Sequence, residues 1–472
     1  MKLLRRSPST AVDAEARVAV GEERATPLEL LFDLVFVYAI TQMAHLVSAD
    51  PTPEGFARGA VVLATVWYAW ICFAWLTNNV GVDEGIVRGG VLAAAGASFL
   101  VALAVPQALH REVLLFVAAY FVVRVLHVLL YAYGTRDAPA VRRNVLAIAP
   151  TFVLGPAALF ALPWLPEGWR LPYLLVALAV PHALDSEVVL FVVAYFVVRV
   201  LHVVLYAYGT RHAPAAHRNV LAIAPTFVLG PAGLFALPWL PEGWRLPYLL
   251  VALAFDVSSP YVSGVAELPV RPAHFAERFA LFVIITLGES IVSIGVGAGA
   301  HPHGAVLIAV ALAFLLTVLL WWAYFDFVST VAERRLGRAA PAERAILARD
   351  AYTYIHYVIV AGIVGFAVGS KKLVADPTHH LATAGAVAFC GGVAIYLLGH
   401  ALFRLRMTRT IGRHHLAGAA ASAALIFVSP RVPALAVAGL LAVVLAAAAA
   451  WERLERADLR RRNQAEAVAD SR

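Results

Sequence analysis

Charge is what this sequence has least of. Only 14% of its 472 residues are Asp, Glu, Lys or Arg, against roughly 25% in soluble domains, and a surface drawn from so small a pool excludes a soluble enzyme. Cysteine is nearly missing too: Cys72 and Cys390 both lie inside apolar runs, and two isolated thiols make neither a disulfide framework nor a zinc site. Redox chemistry therefore has no basis. Enzymatic motifs are absent: there is no HExxH, no P-loop and no GxSxG, and the glycine run Gly295-Val-Gly-Ala-Gly299 closes a helical pattern with no strand before it. The pair His301 and His303 on a loop is a thin metal motif, and neither a metal nor a cofactor is expected. Residues 1–27 are polar and lack an apolar core, so they do not read as a cleavable signal peptide; insertion is expected to begin with the span near Leu28.

Apolar residues fill the space that charge leaves. They make up 61% of the chain, mean hydropathy is +0.78, and runs of about 20 residues alternate with short segments rich in Arg, Pro and Gly, as bilayer-spanning helices alternate with loops. The expected fold is all-α, a polytopic membrane bundle. Candidate spans are 28–47, 55–76, 88–109, 113–133, 144–162, 188–208, 219–237, 244–262, 274–297, 304–325, 351–368, 381–402, 414–428 and 432–451, fourteen in all. The net charge of +7 sits in the inter-helix loops and at the C-terminus, which fits the positive-inside rule and not nucleic-acid binding. Basic segments at the N-terminus, 136–143, 211–218, 334–349, 404–413 and the C-terminus then face the cytoplasm together. Fourteen crossings satisfy all six. Residues 171–184, a short run with Pro172 and Pro181, are expected to be re-entrant or interfacial, because a further crossing would invert everything downstream. The domain plan is a cytoplasmic tail (1–27), a first helical half (28–262), a second (263–451) and a basic cytoplasmic tail (452–472).

Residues 101–175 recur as 176–250 at an offset of 75, with only ten differing pairs. One unit copied once differs from a solenoid of many diverged units, and reads as a local tandem insertion into an older twelve-span plan. That plan has a faint six-plus-six echo, since spans opening with Glu29 and Glu277 are each followed by one with an aromatic block, Trp67/Trp70 and Trp321/Trp322. Aromatic clusters also arise as interfacial belts.

Ionisable groups inside spans cost about 2.5–3.5 kcal/mol on insertion scales, so each needs a reason. Glu29 and Asp33 lie at i and i+4 on one helix face; Glu29 also suits a helix-start cap. Arg278 and Glu289 fall about 20° apart on another helix, with Glu289 about 22 Å from His274 and so deep in the bilayer. A carboxylate there must be neutral, paired or in a wet cavity. Arg124, with His127, is the expected counter-ion of Glu289, with Asp256 as another; the repeat copies the pair as Arg199 and His202. Asp326, His356 and Arg404 are expected to join Asp33, Asp256 and Arg278 in one cytoplasmic vestibule, although a lone intramembrane His is also a common helix-packing group.

The segments LELLFDLVFVYAITQMAHL, WYAWICFAWLTNN, HFAERFALFVIITLGESIVSIG, WWAYFDF and YIHYVIVAGIVGFAVG, in that order along the chain, resemble those of the bacterial low temperature requirement protein A (LtrA) family. The resemblance implies a multi-span protein of the bacterial cytoplasmic membrane linked to growth in the cold, and carries no defined activity with it. Glu29, Asp33, Glu277, Arg278, Glu289, Trp321, Trp322 and Asp326 match the family segments. The favoured expectation is a proton-coupled transporter or permease for a small molecule or ion, with the lipid bilayer as its partner. The alternatives are a membrane scaffold or sensor, and a lipid-modifying factor using Asp33, Asp326 and His356.

Overall fold

A computed structural model describes residues 25–82, 85–108, 111–136, 142 and 270–470. Four of the expected spans (144–162, 188–208, 219–237 and 244–262), segment 171–184, the second repeat copy, Arg199 and Asp256 lie outside the described residues. Among the described residues there are helices and no strands. The helices are α1 (Pro27–Ala49), α2 (Pro53–Asn79), α3 (Gly85–Ala104), α4 (Val113–Gly134), α5 (Pro272–Ala298), α6 (Ala305–Ala323) and α7 (Ser329–Arg338). They continue with α8 (Pro341–Ala375), α9 (Thr383–Thr408), α10 (Arg413–Val428) and α11 (Ala434–Asp470).

Every expected span within the described residues is a helix, and nine of the described helices are long and apolar enough to cross a membrane. Of the remaining two, α7 has 10 residues and α10 has 16, about 24 Å against a hydrocarbon core of about 30 Å. Two helices outrun their expected bounds. Helix α8 starts at Pro341 rather than near residue 351, and α11 continues to Asp470, because the charged turns that ended the hydropathy pattern are good helix formers.

Large apolar side chains point outward all round the bundle, among them Leu34, Leu129, Phe427 and Val443 at 59–75% exposure. Lipid is the solvent that accepts such a surface. Inside, α8 and α9 approach so closely that a Cβ on Gly392 would lie 2.4 Å from the Phe366 amide nitrogen and 2.8 Å from the Gly362 carbonyl oxygen. Small residues facing each other are how helices associate where no hydrophobic effect drives them together.

The chain order fixes two ends. The start of α1, the end of α2 and the start of α5 share one of them, where Arg271 donates to the carbonyls of Thr77 and Asn78 at 2.6 and 2.8 Å. Arg344 reaches the Val270 carbonyl at 3.4 Å, Arg406 pairs with Asp350 at 2.8 Å, and Arg334, Arg335 and Arg338 line one groove with Arg409. The opposite end holds Gly297 against Lys371, and the Ala434 amide on the His379 carbonyl at 2.9 Å. The basic segments at 334–349 and 404–413 therefore lie together at the end where α1 begins.

Candidate functional site: two polar levels between α1 and α5

Helix α1 opens with Thr26 as its cap and Pro27 in its first turn, a favourable start because proline lacks the amide hydrogen that would go unpaired there. Thr26 Oγ1 accepts from the Glu29 amide, while Glu29 Oε2 accepts from the Thr26 amide at 2.8 Å. This capping box holds the Glu29 carboxylate beside the helix start. Its other oxygen then accepts from Arg278 Nη1 at 2.7 Å, and Arg278 Nη2 donates to Asp33 Oδ1 at 2.7 Å. One planar guanidinium forks across the two carboxylates that the i, i+4 spacing stacks on one face. Glu29 thus performs both roles its position suggests.

Three further groups complete this level. Arg278 Nη1 also donates to Thr77 Oγ1 at 3.0 Å, Trp70 Nε1 donates to Asp33 Oδ1 at 2.8 Å, and His274 Nε2 lies 3.1 Å from Glu29 Oε1. Glu29, Asp33 and Arg278 are each 1% exposed. Two carboxylates face one guanidinium, so the set is neutral only when one more proton is present. Asp33 Oδ2 and Arg278 Nε have no hydrogen-bond partner among the described residues. Buried polar atoms are nearly always paired, which sets these two apart from the rest of the cluster.

Eleven residues on, about 16 Å along α5, lies the second level. Buried Glu289 accepts from Ser293 Oγ at 2.9 Å and is hydrogen-bonded to Thr41 of α1. Thr41 Oγ1 is also 3.2 Å from its own helix's Val37 carbonyl. A single hydroxyl proton serves only one of these acceptors fully: with Glu289 ionised, Thr41 donates to it; with Glu289 protonated, Glu289 donates to Thr41, which turns to Val37. The buried Ser290 hydroxyl beside it has no partner among the described residues. Between the levels stands an aromatic plug, with Phe282 at 4.3 Å from Trp70, 5.2 Å from Trp67 and 6.4 Å from Phe36, ring centre to ring centre.

Several expectations are corrected. Arg124 does not pair with Glu289; it donates to Cys72 Sγ and lies 4.7 Å over the Tyr68 ring, because α4 turns this face toward α2. Among the described residues, the other groups expected in one vestibule have separate partners. His356 is buried by Tyr352, stacked 4.9 Å away, and is bonded to the Ala351 carbonyl at 2.9 Å and the Tyr324 hydroxyl at 2.8 Å. The network assigns Nδ1 as donor to the carbonyl and Nε2 as acceptor from the tyrosine. The carbonyl lies five residues back, within the π-helical turn Ala348–Ile355. Asp326 is exposed on the π-turn Tyr324–Val328, and Arg404 belongs to a separate cluster with His414, Glu452 and Glu455. Asp33 and His356 thus have separate hydrogen-bond partners, and Asp326 lies on an exposed turn.

The aromatic wall also splits. Trp67 and Trp70 are buried, whereas Trp321 and Trp322 are 44% and 41% exposed, with Arg453 4.7 Å over the Trp322 ring. The second pair fits an interfacial belt. Glu277 is half-buried and accepts from the Ala25 amide at 2.9 Å, outside the fork. Thr41 and Thr77 entered the site unannounced as partners; they lie in the two segments that also carry Asp33 and Trp70, which was the available signal.

An uncharacterized protein of Rhizobium meliloti (strain 1021), RA0937, is 27% identical over 446 residues, covering 93% of this chain and 91% of that one. No solved structure matches. The profile of the bacterial low temperature requirement A protein matches residues 24–179 and 171–450, two stretches that meet where the repeat copies join. The chain is a multi-pass helical membrane protein and belongs to the LtrA family.

Proposed function

We propose that the protein is a proton-coupled secondary transporter or permease of the bacterial cytoplasmic membrane, with both termini in the cytoplasm. The observation that carries this reading is the pair of buried polar levels on α1 and α5. One is a charge set that needs an extra proton for neutrality; the other is a carboxylate whose hydroxyl partner has two acceptors to choose between. Buried carboxylates and histidines in a membrane bundle are the parts from which proton relays are made, and an aromatic plug between two such levels suits a path closed to water at its middle. The orphaned Asp33 and Arg278 atoms are the substrate-facing candidates. The collection of Arg-rich segments at one end supports the cytoplasmic assignment of that end. On this reading residues 176–250 are an inserted copy added to a working bundle.

Proteoliposomes loaded with a pH-sensitive dye test it. Under an imposed pH gradient, wild type should pass protons faster than empty vesicles, and Glu289→Gln should fall to the empty-vesicle rate. Absent flux in wild type, or equal flux in the variant, would refute the proposal.

A further inference from the structure

A second cluster lies apart from α1 and α5, where α9, α10 and α11 meet at the basic end. His414 and His415 open α10, Glu452 comes from α11, and all three are buried, at 1%, 3% and 6% exposure. One ligating atom from each can be chosen so that all lie within 4.8 Å of one another. Two imidazoles and one carboxylate are a donor set for zinc and related first-row ions, which hold such atoms at about 2.0–2.2 Å. Closing the triangle onto an ion needs side-chain shifts of about 1 Å. A fourth group is at hand: His400 of α9 is 1% exposed, its ring is 5.5 Å from that of His415, and neither of its nitrogens has a hydrogen-bond partner among the described residues. A fully buried imidazole with both nitrogens unused is costly unless something else binds it.

We propose that His414, His415 and Glu452 form a divalent transition-metal site, with His400 as a further ligand. Arg404 holds the cation's place when no metal is bound. Its Nη1 lies 3.4 Å from His414 Nε2 and 3.8 Å from Glu452 Oε1, and its Nη2 lies 3.9 Å from Glu455 Oε2. Glu455 also faces His414 Nδ1 at 3.4 Å. A metal ion and the guanidinium compete for Glu452, and on metal binding Arg404 keeps Glu455, which is partly exposed. The site ties the last three helices together and stands independently of the transport reading.

The test uses the full chain in detergent, purified through a tag without histidine, stripped with chelator and titrated with Zn²⁺ and Co²⁺. Wild type should bind one equivalent and give a tetrahedral Co²⁺ absorption spectrum. His415→Gln and Glu452→Gln should each weaken binding about 100-fold, while Arg404→Gln should tighten it about tenfold, since a positive charge has been removed from the site. The tightening is a gain that misfolding cannot imitate. No stoichiometric binding by wild type would overturn the proposal. So would binding unchanged in Glu452→Gln, or binding lost only when the exposed His303 and His379 are replaced.

Discussion

Replacing Arg278 by methionine keeps most of the side-chain volume and removes the guanidinium shared by Glu29 and Asp33. Both carboxylates are 1% exposed and both ion pairs are 2.7 Å long, so the substitution strands two buried negative charges. Breaking one buried pair costs about 3–5 kcal/mol. His274 beside Glu29 offsets part of the second loss, and about 4 kcal/mol is expected overall. Asp33→Asn alone leaves Arg278 on Glu29 and should cost less, about 1–3 kcal/mol, the scale of a lost hydrogen bond to a charged group. The triple variant Glu29→Gln/Asp33→Asn/Arg278→Met carries no stranded charge and should regain most of the loss. Urea unfolding in mild detergent, followed by tryptophan fluorescence, reads all three. Trp70 donates to Asp33 and reports from within the cluster. Arg278→Met within about 1 kcal/mol of wild type would refute the reasoning, as would a triple variant no more stable than the single one or effects that simply add.

At the α8–α9 contact, Gly392→Ala would press a methyl group on the Phe366 backbone and should cost about 1–3 kcal/mol. Gly439→Ala on α11, where nothing lies within 4 Å, should be neutral or gain up to about 1 kcal/mol from helix propensity. The same unfolding assay separates the two. For topology, single cysteines at Thr410 and His301, in a chain lacking Cys72 and Cys390, should react with an impermeant maleimide from the cytoplasmic and the outer side respectively. Both labelling from one side would contradict the proposed crossing pattern.

Hydropathy alone located the apolar spans in the described region, because a 20-residue apolar run in a bilayer has few alternatives. The α1 side of the site was also legible: Glu29 and Asp33 share a face by spacing, and Arg278 and Glu289 share another. Neighbours were not legible. Helical angle says which residues leave a helix together and is silent on which helix they meet, so Arg124 was assigned to Glu289 when α4 in fact presents it to Cys72 and Tyr68 of α2. The same gap explains the tryptophans, since Trp67 and Trp322 look alike in sequence and only packing sends one inward and the other to lipid. Glu452 was assigned to a cytoplasmic tail one residue past the last apolar run, and its place against His414 and His415 follows from α11 continuing as a helix. The adjacent histidines followed by acids after the last span were the signal that could have joined them.

The central claim is that Glu289 gains and loses a proton inside the bundle. Infrared difference spectroscopy of the reconstituted protein across a pH jump measures this at the bond itself, through the carbonyl stretch of a protonated carboxylic acid. The account predicts a buried-acid band that rises on acidification and is missing from Glu289→Gln, with Thr41→Val shifting its frequency because the hydroxyl partner is gone. A pH jump that produces no such band in wild type, or one that survives in Glu289→Gln, would contradict it.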